Sequence, residues 1–140
     1  MDIEKIKLYK IGMIFGAFDM YHIGHLNIIR AAKALCSKLV VCVSSDEYIE
    51  KQNGYNTIIP LSQRFKIVIS CTYVDDVEVQ DEKYTKLDAI HEHQPDVIFV
   101  GDSRKLKYKD DKVHGIQKVY LPYERGVSLK LLRKRLKGGK

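Results

Sequence analysis

The stretch Gly16–His25, which reads GAFDMYHIGH, decides the fold. An almost continuously apolar run, Ile11–Phe15, precedes it, and a helical pattern that begins at Gly24 follows it. The apolar run predicts a central parallel strand that is covered on both faces. A strand, a glycine-rich turn and a helix in this order bring free backbone N–H groups and the positive end of a helix dipole together, which favours a phosphate. His22 and His25 are three residues apart and project from one face, so the stretch predicts chemistry on a bound phosphate.

The rest of the chain alternates between apolar runs and helical patterns in the same way. Strands are predicted at residues 11–15, 39–43, 74–79, 96–102 and 117–121, and helices at 24–36, 62–69, 84–93 and 129–136, with a short capped helix that ends at Ile49. Strands separated by helices of this length form a parallel sheet. The predicted protein is therefore α/β: a single Rossmann-like three-layer domain with a mainly parallel five-stranded sheet over 11–136, after an N-terminal extension, 1–10, and before a disordered tail, 137–140.

Three polar segments follow three of the predicted strands: Gly16–His25, Ser44–Asp46 and Gly101–Lys105. In open α/β sheets, ligands bind beyond the carboxyl ends of the strands. These distant segments are therefore expected to converge on one crevice. A polar, glycine-containing loop, Lys51–Pro60, is a candidate lid for it.

Composition narrows the class of protein. No apolar run approaches the roughly 20 residues that span a membrane, and Met1–Lys10 lacks the apolar region of a signal peptide, so the chain is predicted to be cytoplasmic. Cys42 falls in a strand pattern and Cys36 and Cys71 in helical patterns, without a paired spacing. They are interpreted as core thiols rather than as disulfides or zinc ligands.

The net charge of +6 resides in the last eleven residues, 130–140, which hold six lysines and arginines and no acid. A basic tail can bind nucleic acid. A solvated helix end favoured by the helix dipole is the commoner explanation. Nucleic acid is therefore not an expected partner.

The spacing Gly-x-Phe-Asp-x-x-His-x-Gly-His resembles the signature of the HxGH nucleotidyltransferases, in their cytidylyltransferase branch. The similarity extends over about residues 11–136 and is greatest to the glycerol-3-phosphate cytidylyltransferases. It implies transfer of CMP from CTP to a small phosphorylated alcohol, with glycerol 3-phosphate giving CDP-glycerol as the first candidate, and release of pyrophosphate. The alternatives are an ATP-dependent adenylyltransferase of the same superfamily and a non-catalytic nucleotide- or RNA-binding protein.

The resemblance also implies roles for individual residues. His22 and His25 would donate hydrogen bonds to the α- and β-phosphates, and Arg64 and Ser128 would be further catalytic contacts to phosphate. Nucleotide contacts are expected from Phe15, Gly16, Ala17, Phe18, Gly24, Lys51, Gly101, Asp102 and Gly126. Asp19, Arg104 and Arg125 are expected to bind the acceptor.

Three positions depart from the family pattern. Ala17 stands where the family commonly has Thr, so one hydroxyl donor is missing. Thr72 and Tyr123 stand where the family has arginines. Because a phosphorylated acceptor and a triphosphate repel each other, cations must offset the lost charge. Arg125, with the loop from Arg104 to Lys107, is predicted to supply them.

No cluster of carboxylates or of His and Cys ligands stands out at a fixed spacing. The sequence therefore predicts Mg²⁺ that is carried by the triphosphate, and no metal cage made by the protein. The expected partners are CTP, or alternatively ATP, and a phosphorylated small-molecule acceptor. The resemblance implies a homodimer.

Overall fold

The computed structural model describes residues 7–101 and 115–122. Its strands are β1 (Tyr9–Gly16), β2 (Cys36–Ser44), β3 (Asp76–Gln80), β4 (Val97–Gly101) and β5 (Gln117–Leu121). The helices of this part of the chain are α1 (Ile23–Leu35), α2 (Asp46–Asn53), α3 (Leu61–Ile69) and α4 (Lys86–His93). The five strands form one sheet in the order β3-β2-β1-β4-β5, and every neighbouring pair is parallel. The predicted α/β class and five-stranded parallel sheet are confirmed.

The sheet separates two apolar clusters. On one face, α1 and α3 pack through Ile28, Ile29, Ala32 and Val68. On the other face, Ala89 and Ile90 of α4 pack against Met13, Val40 and Ile98. The strands are thus covered on both sides, as their continuous apolar pattern predicts, and the three-layer arrangement follows.

The strand order creates a switch point between β1 and β4. The chain moves outward from β1 to β2 and β3, and then returns to the other side of β1 at β4 and β5. Segments that leave the carboxyl ends of β1 and β4 therefore diverge, and a crevice opens between them. Ligands of open α/β sheets bind at such a point.

The N-terminal ends of β1 and β2 differ from the prediction. Tyr9 pairs with Cys36, so the last two residues of the predicted extension lie in the sheet. Cys36 begins a strand instead of ending a helix, because its backbone is extended, with φ −134° and ψ 157°. The exposed Ser37 and Lys38 interrupt the apolar pattern at this end of β2, which conceals the strand in the sequence.

The predicted lid, Lys51–Pro60, is shorter than expected. Its first three residues belong to α2, which ends at Gly54, where a φ of 74° closes the helix in the left-handed conformation. Thr57 donates a hydrogen bond to Asp46 at 2.7 Å, and the next two residues are held by Asp19, as described below. The loop is therefore tethered at the end that approaches the crevice.

The cysteines are free thiols. Cys36 and Cys42 are buried, and burial raises the pKa of both thiols. Cys71 is half-buried and follows the end of α3, so its predicted place in a helix is wrong. Among the described residues, no helix has both the length and the apolar character that crossing a bilayer requires. The predicted helix 129–136 lies outside the described residues.

Candidate active site

The turn after β1 has a strained backbone. Phe18 and Met20 adopt positive φ values of 54° and 49°, which residues other than glycine rarely do. A Cβ atom on Gly16 would lie 3.1 Å from the ring of Phe18, so glycine at this position lets that ring pack against the backbone. Strained residues of this kind cluster at functional sites. The predicted nucleotide contact of Gly16 stays a prediction.

The two histidines cap their own helix. The Gly24 N–H donates to Nδ1 of His22 at 3.0 Å, and the His22 N–H donates to Nδ1 of His25 at 3.1 Å. The two rings stack with centroids 4.0 Å apart. Because each Nδ1 accepts a hydrogen bond, each neutral ring carries its proton on Nε2. The first-turn N–H groups, predicted to await an anion, are thus partly satisfied by imidazole.

Aromatic neighbours fix the orientation of His25. Its ring stacks on Tyr21, with centroids 5.4 Å apart and an interplanar angle of 24°, and lies 5.5 Å from the ring of Phe18. Burial, reinforced by the Cys71 thiol, raises the pKa of Tyr21, so this side chain remains an uncharged phenol. The clamp leaves His25 little rotational freedom, which suits a group that must meet a substrate in one geometry.

A pocket of about 60 Å³ opens at the switch point between β1 and β4. It brings together predicted residues from two distant segments: Phe15, Gly16, Ala17, Phe18, His25 and Gly101. His25 thus reaches the pocket, whereas the Nε2 atom of His22 is buried. A phosphate contact from His22 therefore requires a shift of the turn. Lys86, which the sequence analysis did not select, lies over the ring of Phe15 at 5.3 Å.

Arg64 is a scaffold residue in this structure. Its side chain is fully buried, and its guanidinium donates to the carbonyl oxygens of Ala17, Ser44 and Ile59 at 2.7, 2.8 and 2.8 Å. Nη2 also pairs with Oδ1 of Asp46 at 2.5 Å. One side chain thereby joins the ends of β1 and β2, the start of α2 and the tethered loop. Its predicted contact with a triphosphate stays a prediction.

Asp19 has a similar anchoring role. The side chain is 1% exposed, and its two carboxylate oxygens accept the backbone N–H groups of Ile58 and Ile59 at 2.8 and 2.9 Å. The carboxylate thus holds the tethered loop against the turn after β1. Binding of the acceptor by Asp19 stays a prediction as well.

Lys51 lies away from the pocket residues. Its ammonium group pairs with Glu82 at 2.5 Å, and both side chains are about two-thirds exposed. Hydrogen bonding to Glu82 raises the pKa of Lys51.

Among the other predicted site residues, Gly24 contributes through its N–H to the histidine cap. Five predicted site residues lie outside the described part of the chain: Asp102, Arg104, Arg125, Gly126 and Ser128.

Asp46 is the important residue that the sequence analysis placed at the crevice without assigning a role. It receives Arg64, the Thr57 hydroxyl and the Leu61 N–H at the N-terminus of α2. The signal in the sequence is the Ser44–Asp46 segment directly after a buried strand. Burial opposes ionisation, but the hydrogen bonds from Thr57 and Arg64 outweigh it and lower the pKa of Asp46.

The chain is similar to several known proteins. Residues 13–128 match the cytidylyltransferase-like family. An FAD synthase of Pyrococcus abyssi is 33% identical over 117 residues, which cover 79% of each chain. A glycerol-3-phosphate cytidylyltransferase of Bacillus subtilis is 32% identical over 126 residues, covering 89% of this chain and 95% of the relative. The crystal structure of a lipopolysaccharide core biosynthesis protein from Thermoplasma volcanium superposes with a TM-score of 0.63 at 26% identity, covering 83% of this chain and 97% of that chain.

Proposed function

The chain belongs to the cytidylyltransferase-like family of nucleotidyltransferases, and we propose that it transfers CMP from CTP to a small phosphorylated alcohol. Glycerol 3-phosphate is the first candidate acceptor, with CDP-glycerol and pyrophosphate as products. The observation that carries this proposal is His25, whose ring lines the pocket at the switch point and is held in one orientation by the His22 N–H and by Tyr21. The relative from Bacillus subtilis, whose length this chain nearly spans, supports the choice of acceptor.

The reaction requires positioning more than covalent chemistry. An oxygen of the acceptor phosphate attacks the α-phosphorus of CTP, and the bond between that phosphorus and the bridging oxygen to the β-phosphate breaks. A phosphate monoester is largely ionised near pH 7, with a second pKa of about 6, so no general base is needed. The protein contributes by aligning the two reactants and by stabilising the negative charge of the transition state.

His25 is proposed as the principal donor to the transferred phosphate. Its Nδ1 is held by the backbone of His22, and its ring is clamped by Tyr21. The Nε2–H therefore points in a fixed direction before the substrate arrives, which is the condition for efficient stabilisation of developing charge. His22 is proposed to hold the helix start and to reach the phosphates when the turn shifts.

The proposed donor substrate is the Mg²⁺ complex of CTP. Mg²⁺ supplies charge neutralisation on the phosphate oxygens. The carboxylates of Asp19 and Asp46 hold backbone N–H groups and Arg64, which assigns them to the scaffold of the site. We propose that the ion is held by the triphosphate.

ATP is the second candidate donor. The FAD synthases of Pyrococcus abyssi and Thermococcus kodakarensis, at 33% and 31% identity, favour this alternative as adenylyl transfer. Gly101 presents only backbone atoms to the pocket, and a backbone contact does not select between bases by side-chain chemistry.

We also propose a cytoplasmic homodimer, supported by the resemblance to the family. Sedimentation at micromolar concentration tests the dimer, and a monomer would refute it.

The decisive experiment measures pyrophosphate release with CTP or ATP, in Mg²⁺, with glycerol 3-phosphate or with glycerol as the acceptor. Release with CTP that depends on glycerol 3-phosphate supports the proposal. Release with ATP alone shifts the assignment to an adenylyltransferase. No release with either triphosphate, combined with a thermal shift on binding, indicates a nucleotide-binding protein without turnover.

A further inference from the structure

Three potential metal ligands converge on the α4 face of the sheet, away from the crevice. Asp76 and Glu78 alternate along the edge strand β3 and therefore project from one face, and His93 is the last residue of α4. One ligand atom from each residue lies within 4.8 Å of the other two. We call this group the β3–α4 cluster. His93 is fifteen residues beyond Glu78 in the sequence, so the fold brings together a group that no fixed sequence spacing indicates. The prediction that the protein makes no metal cage stays a prediction.

The imidazole of His93 is the most enclosed member of the β3–α4 cluster. Its side chain is only 9% exposed, and Nε2 lies 2.9 Å from Oε1 of Glu78. A second carboxylate, that of Glu92, lies 3.9 Å from the same nitrogen. A buried imidazole aimed into a group of carboxylates is the arrangement by which proteins bind zinc and similar divalent ions.

The charge around this cluster is unbalanced. Within residues 7–101 and 115–122, no ion pair joins Asp76, Glu78 or Glu92 to a lysine or an arginine. A bound cation would relieve the mutual repulsion of these carboxylates.

We propose that Asp76, Glu78 and His93 form a binding site for a divalent transition-metal ion of the zinc class. Ligand atoms around tetrahedral zinc, at about 2.0–2.2 Å from the ion, lie roughly 3.3 Å apart. The three side chains therefore need to close by roughly 1.5 Å or less. A water molecule completes the coordination. One imidazole with carboxylates is a set for zinc or another borderline ion, whereas Ca²⁺ prefers a shell of oxygen atoms.

The location gives the site a structural role. β3 is the edge strand, separated from β1 by β2, so the metal does not reach the histidines of the crevice. It instead joins the edge of the sheet to the end of the helix that leads into β4. Binding to the folded chain alone stabilises that chain, and holding α4 also holds the start of the strand that forms one wall of the pocket.

The test uses the full chain, stripped of metal by a chelator and free of nucleotide, in a Cys71→Ser background that removes the least buried thiol. Titration with Co²⁺ monitors visible d–d absorption, and Zn²⁺ is followed by calorimetry and by thermal unfolding. Variants His93→Gln and Glu78→Gln are compared with His91→Gln, a matched control on the exposed side of the same helix.

We expect one equivalent of Zn²⁺ per chain and an increase of several degrees in the unfolding temperature at about 100-fold excess over Kd. His93→Gln and Glu78→Gln should each weaken binding at least about 10-fold, as loss of a ligand does, and His91→Gln should leave it unchanged. Circular dichroism without metal shows whether each variant is folded. Binding that survives both cluster variants, a thiolate-to-cobalt charge-transfer band, or no saturable binding at micromolar Zn²⁺ would overturn the proposal.

Discussion

The turn after β1 and the turn after β2 lie side by side at one edge of the sheet, yet their polar side chains are used differently. After β1, His25 lines the pocket with its Nδ1 held by the backbone N–H of His22. After β2, Asp46 and the guanidinium of Arg64 face each other and the surrounding carbonyl groups. The resemblance groups His25 and Arg64 together as contacts to phosphate. In the structure His25 lines the pocket, whereas the guanidinium of Arg64 is bonded to protein groups.

The difference follows from the number of hydrogen-bonding groups that each side chain carries. A guanidinium has five donors, and burial obliges them to find acceptors, because an unpaired buried charge is very unfavourable. Arg64 finds four acceptors in four segments. A neutral imidazole has only one acceptor and one donor, so it cannot join several segments as Arg64 does. Arg64 thus holds the turn after β1 and the turn after β2 together.

Arg64→Met is expected to have the largest effect on stability, because it removes every hydrogen bond that the guanidinium donates. Removal leaves three carbonyl groups and Asp46 without their partner in a buried site, so we expect a loss of about 3–5 kcal/mol in the free energy of unfolding. Chemical denaturation measures it. Lys66→Met, on the exposed side of the same helix, is the control and should change stability by less than about 0.5 kcal/mol. If Arg64→Met keeps wild-type stability and loses only CTP binding, Arg64 is a ligand of the triphosphate and the comparison fails.

His25→Ala tests the other side of the comparison. Loss of one preorganised donor to the transition state should lower kcat by about 10²–10³-fold. The cap at the His22 N–H is also lost, which should reduce the free energy of unfolding by only about 1 kcal/mol. Steady-state kinetics and denaturation of the same samples separate the two effects. Near wild-type kcat would contradict the mechanism.

His22→Ala sharpens the same point, since Nε2 of His22 is buried while His25 lines the pocket. The smaller expected loss of kcat, about 10-fold, reflects a residue that acts mainly by holding the helix start. A loss in His22→Ala equal to that in His25→Ala would show that both rings contact phosphate during turnover.

The sequence predicted the parts of the fold that depend on continuous apolar patterns. The central strands are predicted correctly because strands that are covered on both faces are continuously apolar. The helical pattern of α3 is also clear in the sequence. The junction from α1 to β2 was misplaced because Cys36 fits either a helix or a strand pattern, and only its pairing with Tyr9 decides. The turn Gly16–His25 is predicted as the site because strand, glycine and histidines are local in sequence, and four of its residues line the pocket: Gly16, Ala17, Phe18 and His25. The role of the turn as the site stays a prediction.

What could not be predicted were pairings between distant side chains. Nothing in the sequence shows that Asp19 would meet the N–H groups of Ile58 and Ile59, forty residues away, or that His93 would meet Glu78. Such contacts depend on the crossing of the chain between β3 and β4 and on the exact length of α2. The predicted acceptor contacts, Arg104 and Arg125, lie outside the described residues and stay predictions.

Asp19→Ala tests whether the tethered loop supports the turn after β1. Two backbone N–H groups would lose their acceptor, and an unsatisfied, partly buried donor costs about 1–3 kcal/mol, so we expect a total loss near 2 kcal/mol. Amide hydrogen exchange should accelerate at Ile58 and Ile59 more than in the core of α3. Asp19→Asn, which keeps one acceptor oxygen, should give an intermediate loss. Unchanged exchange at these two amides would contradict the anchoring role.

The smallest expected effect concerns the pairing of Asp46 with Arg64. It is the dependence of the free energy of unfolding on acidic pH. Its pKa is lowered in the folded state by the hydrogen bonds from Thr57 and Arg64, which outweigh burial. A carboxyl with a lowered folded-state pKa contributes its stability above the unfolded value of about 3.9 and loses it as the pH falls through the folded value. The side chain is 39% exposed, so solvent screening limits the contribution to less than about 1 kcal/mol. The free energy of unfolding should therefore decline more between pH 5 and pH 3 in the wild type than in Asp46→Asn, measured by urea denaturation at each pH. Glu50→Gln, at an exposed position of the same helix, is the control and should show the same decline as the wild type. An equal decline in the wild type and in Asp46→Asn would show that the ion pair between Asp46 and Arg64 does not contribute to stability.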